Sequence, residues 1–129
     1  MIPTKVHGVL DYLMGLFLIA VPWLFGFHAN SAETWVPIIL GITVTVYSLM
    51  TDYEFGVSPI ISMVWHLRLD AGSGLLLAIS PFLFGFQHIV YWPHLILGLL
   101  EVAASQLTEK APTYGPHRRP VLPGHGLAT

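Results

Sequence analysis

Two histidine–carboxylate pairs stand at the same spacing in this 129-residue chain: His7 with Asp11, and His66 with Asp70. Residues four apart share one face of a helix, so each pair sets an imidazole beside a carboxylate. Arg68 and Glu101 complete the set of ionisable groups embedded in apolar sequence, and together the six would form one polar layer. Imidazole nitrogen and carboxylate oxygen are the donors that Zn²⁺ and similar borderline metals accept. Two histidines, His7 and His66, can also serve as axial ligands of a haem. Carboxylates at membrane depth can pass protons. The simplest role is hydrogen bonding across helices, worth roughly 0.6–2 kcal/mol per bond, which fixes register with no ligand at all. His-x-x-x-Asp does not by itself choose among these, and the metal question stays open here.

The elements that must position those groups are strongly apolar. Of the whole chain 54% is hydrophobic and 9% charged, with a mean hydropathy of +0.70, whereas soluble domains carry about 25% charge. So much apolar surface must face lipid or a partner. Four apolar stretches run over 6–27, 35–50, 60–86 and 89–107. A bilayer core of about 30 Å needs about 20 helical residues. By that measure the first, third and fourth stretches qualify comfortably and the second is marginal. A cleaved signal peptide is the rival account of the first stretch, with Lys5 ahead of it and Ala29-Asn30-Ser31 as a cleavage site.

Against that rival, the first stretch recurs. His7 through Phe27 matches His66 through Phe86 at 11 of 21 positions, an offset of 59 residues. Trp35 through Gly41 returns as Trp92 through Gly98, 57 residues on. One two-helix unit used twice is what such a period implies, with one copy at about 5–54 and the other at about 60–109. The expected architecture is all-α: a four-helix transmembrane bundle of two parallel two-helix repeats, residues 1–109, followed by a Pro/Gly-rich tail over 110–129. Pro22 and Pro81 should bend or end the first helix of each copy, and Gly26 and Gly85 follow at the distance of a helix stop. Gly15, Gly41, Gly74 and Gly98 fall at matched mid-helix sites, where small residues let membrane helices approach closely.

Charge placement orients the bundle. Lys5, Arg68, Lys110, Arg118 and Arg119 all lie on one side of a four-helix layout, and a count of three or five helices would split them. The positive-inside rule then puts both termini in the cytoplasm. Trp23, Phe25, Phe27, Trp35, Phe82, Phe84, Phe86, Tyr91 and Trp92 gather at the opposite boundary, as an aromatic belt does. His28, His88 and His94 fall at that outer face and are expected to be solvated, while 51–54 should be an exposed exit from the second helix. Beyond Glu101 no buried ionisable residue is expected in the outer half, which argues against a complete proton path.

Around Val21-Pro22-Trp23…Gly26 and Ser80-Pro81-Phe82…Gly85 the chain resembles the SPW-repeat family of small bacterial integral membrane proteins, named for a Ser-Pro-Trp motif in the first helix of each repeat. Neither copy carries the full triplet, but the flanking His…Asp…Gly…Pro-x-Leu-Phe-Gly-Phe pattern is shared. The resemblance covers about residues 5–109. It implies a multi-pass protein of the bacterial inner membrane and points to no activity.

The exclusions are firmer. No cysteine means no disulfide, thiolate metal site or iron–sulfur cluster. Five Lys/Arg against seven Asp/Glu give no basic field for nucleic acid. There is no nucleophile elbow, phosphate loop or catalytic triad. The expected function is therefore non-enzymatic: an accessory or structural subunit of a larger membrane complex, with the lipid bilayer and other membrane subunits or a second copy as partners. A haem- or zinc-binding protein built on the His/Asp pairs and a small transporter are the alternatives. In the tail, His117-Arg118-Arg119 would meet anionic headgroups or an acidic partner.

Overall fold

The computed structural model describes residues 1–112, so the expectations for the tail, His117-Arg118-Arg119 included, lie outside the described residues. Within them the chain is all-α, with four helices: α1 (Thr4–Leu24), α2 (Ala32–Leu49), α3 (Met63–Leu83) and α4 (Trp92–Leu107). Local chemistry sets their ends. Pro22 lies in the last turn of α1, and the helix stops two residues later. Gly26 then takes the left-handed conformation, φ 71°, that a residue bearing a Cβ avoids. This lets Phe27 N–H donate back to the Pro22 carbonyl at 2.9 Å, covering a carbonyl that the helix leaves open. Pro81 and Gly85, φ 74°, close α3 at the corresponding place. Pro93 opens α4 in its first turn, where a missing N–H costs nothing.

Two helices, α1 and α2, are long and apolar enough to cross a membrane. This corrects the ranking made from the stretches. The stretch 35–50 was marginal only because it was counted from Trp35; the helix begins at Ala32 and reaches 18 residues. The stretch 89–107 loses its first three residues to a turn before Trp92, leaving 16 helical residues, about 24 Å at about 1.5 Å each. α3 keeps 21 residues, but His66, Arg68 and Asp70 lower its hydropathy.

The helices pack as two hairpins, α1 on α2 and α3 on α4, joined through α2 and α3. Glycine makes each hairpin tight. A Cβ added at Gly41 would stand 2.6 Å from the Gly15 carbonyl oxygen, and one at Gly74 2.7 Å from that of Gly98. Both crossings are backbone to backbone, which only hydrogen at Cα permits. Between the crossings Leu18, Leu40 and Leu77 form a small apolar layer.

The segment between α2 and α3 folds back on itself, with Asp52 N–H donating to the Ile61 carbonyl at 2.8 Å. Thr51 and Tyr53 are fully buried there, so 51–54 is not an exposed exit. Tyr53 packs with Met63 and Leu67 as a plug beneath the bundle. At the same end Ile2 N–H donates to the Leu107 carbonyl at 2.7 Å, tying the N-terminus to the end of α4.

The distribution of side chains is inverted relative to a water-soluble fold. Leu13, Leu16, Ile39, Leu75 and Leu99 are each more than half exposed, whereas His7, Asp11, His66, Asp70 and Glu101 are buried. Large apolar surface outside and paired polar groups inside is the arrangement that lipid as solvent selects.

Candidate functional site

The starts of α1 and α3 bring both histidine–carboxylate pairs to one point. His7 Nε2 lies 2.8 Å from Asp70 Oδ2 and 3.1 Å from Asp11 Oδ1. His66 Nε2 lies 3.0 Å from Asp11 Oδ2 and 3.2 Å from Asp70 Oδ2. Each imidazole thus faces the carboxylate on its own helix and the one on the other. The two rings stand edge to face, 5.5 Å between centroids. All four residues are buried, none more than 6% exposed.

The far nitrogens are held just as closely. His7 Nδ1 is 2.8 Å from Thr108 Oγ1, and His66 Nδ1 is 2.8 Å from Thr51 Oγ1. Each threonine hydroxyl donates its one hydrogen to the carbonyl four residues back, Ala104 for Thr108 and Tyr47 for Thr51, at 2.6 Å in both cases. A threonine oxygen whose hydrogen is already committed can only accept from the ring. Both Nδ1 atoms are therefore N–H donors, and both Nε2 atoms are aimed at carboxylates.

Two tyrosines add donors to the carboxylates. Tyr47 O–H donates to Asp70 Oδ1, the oxygen turned away from the histidines, at 2.5 Å, and Tyr53 O–H donates at 3.4 Å to Asp11 Oδ2, the oxygen that also faces His66. Burial in the connecting segment, with the Asp11 charge nearby, pushes the Tyr53 phenol far above its ordinary range and keeps it a donor. Tyr47 also edges onto the His66 ring, 5.1 Å between centroids.

Glu101 joins this layer at one remove. Its Oε1 accepts from Ser73 Oγ at 2.7 Å, and Ser73 in turn lies 3.4 Å from the Tyr47 hydroxyl. Its Oε2 is buried with no hydrogen-bond partner among the described residues. Glu101, His7 and Asp11 form the polar end of a groove between α1 and α4, about 710 Å³ in volume, whose walls are Leu10, Leu13, Met14, Phe17 and Leu24. Ala104, 57 residues after Tyr47 in the sequence, lies on the groove wall and brings no ring to the space beside Asp11.

Arg68 stays outside the layer. It is exposed, with its guanidinium 4.8 Å above the Trp65 ring; two residues from His66 and from Asp70, it sits on the opposite side of α3. Two further expectations change. His94 is buried rather than solvated: Nε2 lies 3.0 Å from the Glu33 carbonyl, and the Phe27 and Phe86 rings flank it at 5.3 and 4.9 Å. The outer half accordingly does hold buried ionisable side chains, Glu33 and His94, separated from the inner cluster by the Leu18–Leu40–Leu77 layer. The haem alternative fails on geometry. His7 and His66 share Asp11 and Asp70 between them, which leaves no slot for a macrocycle between the two Nε2 atoms.

Of the repeat-motif positions, Pro22, Ser80 and Pro81 are buried, while Trp23, Gly26, Phe82 and Gly85 face outward. Ser80 Oγ donates to the Leu77 carbonyl at 2.7 Å, so this serine serves its own helix. Thr51 and Thr108 were not foreseen as parts of the site. The signal was present, because they are 57 residues apart, like Trp35 and Trp92.

Fold and site together define a small helical membrane-type protein with a buried His₂Asp₂ cluster at one end of its hairpins. The SPW repeat domain matches residues 5–108, and the chain belongs to that family. No curated protein and no solved structure matches it. The family and the two apolar helices suggest a membrane protein.

Proposed function

We propose that this chain is a non-catalytic, multi-pass protein of the bacterial inner membrane that acts as an accessory subunit, receiving a transmembrane helix of another protein between α1 and α4. The observation that carries this is the α1–α4 groove. It is apolar for most of its length and ends at Glu101, whose Oε2 has no hydrogen-bond partner among the described residues. From Leu10 to Leu24 it follows α1 for about 21 Å at about 1.5 Å per residue, the length of a helix–helix contact rather than of a small ligand. A partner helix with one hydrogen-bond donor at the depth of Glu101 would satisfy that oxygen, and such bonds hold membrane helices together.

Both termini are cytoplasmic in this proposal, since Lys5, Arg68 and Lys110 share one end with the His/Asp cluster. The two hairpins are copies of one unit related by an axis along the membrane normal. The test places a photo-crosslinking amino acid at Leu13, in the groove, or at Ile39, exposed on α2. In native membranes the Leu13 probe should capture one defined protein and the Ile39 probe should not. A chain that washes off membranes with carbonate, or a Leu13 probe that captures nothing but lipid, overturns the proposal.

A further inference from the structure

The His₂Asp₂ cluster has the donor set, the charge and the supporting shell of a metal centre. We propose that His7 Nε2, His66 Nε2, one oxygen of Asp11 and one of Asp70 bind a single divalent cation of the zinc class. This is independent of any partner in the groove.

Three observations converge. The first is proximity: four ligand atoms, one from each residue, lie within 4.8 Å of one another. Zinc bonds to nitrogen and carboxylate oxygen of about 2.0–2.2 Å put the edges of a tetrahedron at about 3.4 Å. Both histidine Nε2 atoms meet Asp70 Oδ2, at 2.8 and 3.2 Å, and His66 Nε2 meets Asp11 Oδ2 at 3.0 Å, while His7 meets Asp11 through its other oxygen, Oδ1, at 3.1 Å, so a turn of the Asp11 carboxylate with an expansion of a few tenths of an ångström admits the ion.

The second is the tautomer. A metal-bound histidine ordinarily donates its other ring N–H to a fixed acceptor, which orients the ring and frees its lone pair for the ion. Thr108 and Thr51 are such acceptors, each locked by its own bond to a backbone carbonyl. Tyr47 does the corresponding work for Asp70, holding Oδ1 so that Oδ2 faces the histidines. These supports come from the C-terminal ends of α2 and α4, so every helix contributes either a ligand or the residue that aims one.

The third is charge and access. Asp11 and Asp70 bring two carboxylates to one buried point, and a single M²⁺ matches their charge, so the filled cluster would leave no uncompensated charge inside the bundle. The route in is the α1–α4 groove, whose lining includes His7 and Asp11. Nitrogen–oxygen donors without sulfur, four protein ligands and deep burial together describe a closed structural site.

The test uses the full-length protein in mild detergent, stripped with a chelator and titrated with Co²⁺ alone, then with Zn²⁺. One equivalent of Co²⁺ should give the absorption of a four-coordinate ion, and Zn²⁺ should bleach it by competition. Calorimetry should fit one metal ion per chain. Thr51→Val and Thr108→Val should each weaken binding about 10–100-fold with the ligands still in place. Three outcomes overturn the proposal: no absorption and no rise in melting temperature at a 100-fold excess of Zn²⁺, undiminished binding in both threonine variants, or undiminished binding in the His7→Ala/His66→Ala double variant. Should that double variant fail to fold, the threonine variants and the cobalt spectrum still decide.

Discussion

Thr108 and His7 are joined by a 2.8 Å hydrogen bond across 101 residues of sequence, and Thr51 and His66 by one of the same length across 15. Each bond ties the end of one helix to the start of another, α4 to α1 and, through the residues just after Leu49, α2 to α3. Replacing either threonine by valine keeps the shape and removes the acceptor that the described residues offer a buried ring N–H. A stranded donor of that kind costs about 1–3 kcal/mol. Thr51→Val and Thr108→Val should therefore each lower the thermal or denaturant midpoint of the detergent-solubilised protein by a similar amount. A difference of several-fold between them would show that the two halves of the cluster are not equivalent.

Asp70 should be the more sensitive carboxylate. It faces both histidines, accepts from Tyr47 at 2.5 Å and is 1% exposed, whereas Asp11, at similar distances from the histidines, is 6% exposed and meets Tyr53 only at 3.4 Å. Asp70→Asn leaves two imidazoles facing an amide, and breaking a buried ionic group in this way costs about 3–5 kcal/mol. Asp11→Asn should cost less. Denaturant titration of the two variants side by side checks the order.

The glycines give a contrast within one hairpin. A side chain at Gly98 would strike the Gly74 carbonyl and come within 2.8 Å of Ala78 Cβ, whereas one at Gly72 meets nothing within 4 Å. Gly98→Val should force α3 and α4 apart and destabilise by about 1–3 kcal/mol. Gly72→Ala should be neutral or stabilise by about 0.5–1 kcal/mol, since alanine restricts the unfolded chain and favours helix. Melting curves of the two variants should move in opposite directions.

These sites show what the sequence made legible. The His/Asp spacing, the matched glycines and the Pro-to-Gly helix ends were all local patterns, and each found its place because helical periodicity is set within a few residues. What escaped needed a second helix. Thr51 and Thr108 look like unremarkable helix-end residues until α1 and α3 bring imidazoles to them. His94 looks solvated until Phe27 and Phe86 close over it. Arg68, at the depth of the polar layer but two residues from both His66 and Asp70, is turned off their face by the helical period itself, and only its seat over Trp65 needed the structure. The lengths of α2 and α4 were misjudged because helix starts follow turn chemistry, Ser31 before one and Pro93 within the other, rather than the edges of apolar runs.

Orientation can be read by chemistry because the sequence contains no cysteine. Ser58 and His88 are both exposed, in the turns before α3 and before α4. With the cation-bearing end in the cytoplasm, His88→Cys should react with a membrane-impermeant maleimide added outside inner-membrane spheroplasts, and Ser58→Cys only after lysis. Labelling in the reverse order would invert the topology, and equal labelling of both would mean that the chain does not separate two compartments.

The groove offers the sharpest separation between the two proposals. Ala104, 57 residues after Tyr47, is half-buried at the groove wall. Ala104→Phe places a ring in that space without touching His7, Asp11, His66 or Asp70 as ligands. A partner helix seated between α1 and α4 should then be excluded, so crosslinking from Leu13 should fall at least tenfold, equivalent to about 1.4 kcal/mol. Metal stoichiometry at the His₂Asp₂ cluster should be unchanged, with entry slowed, because His7 and Asp11 open onto the same groove. Loss of the partner with metal retained separates the surface from the centre. Crosslinking that persists undiminished would mean that the captured protein touches Leu13 from the lipid side and that α1 and α4 receive nothing between them.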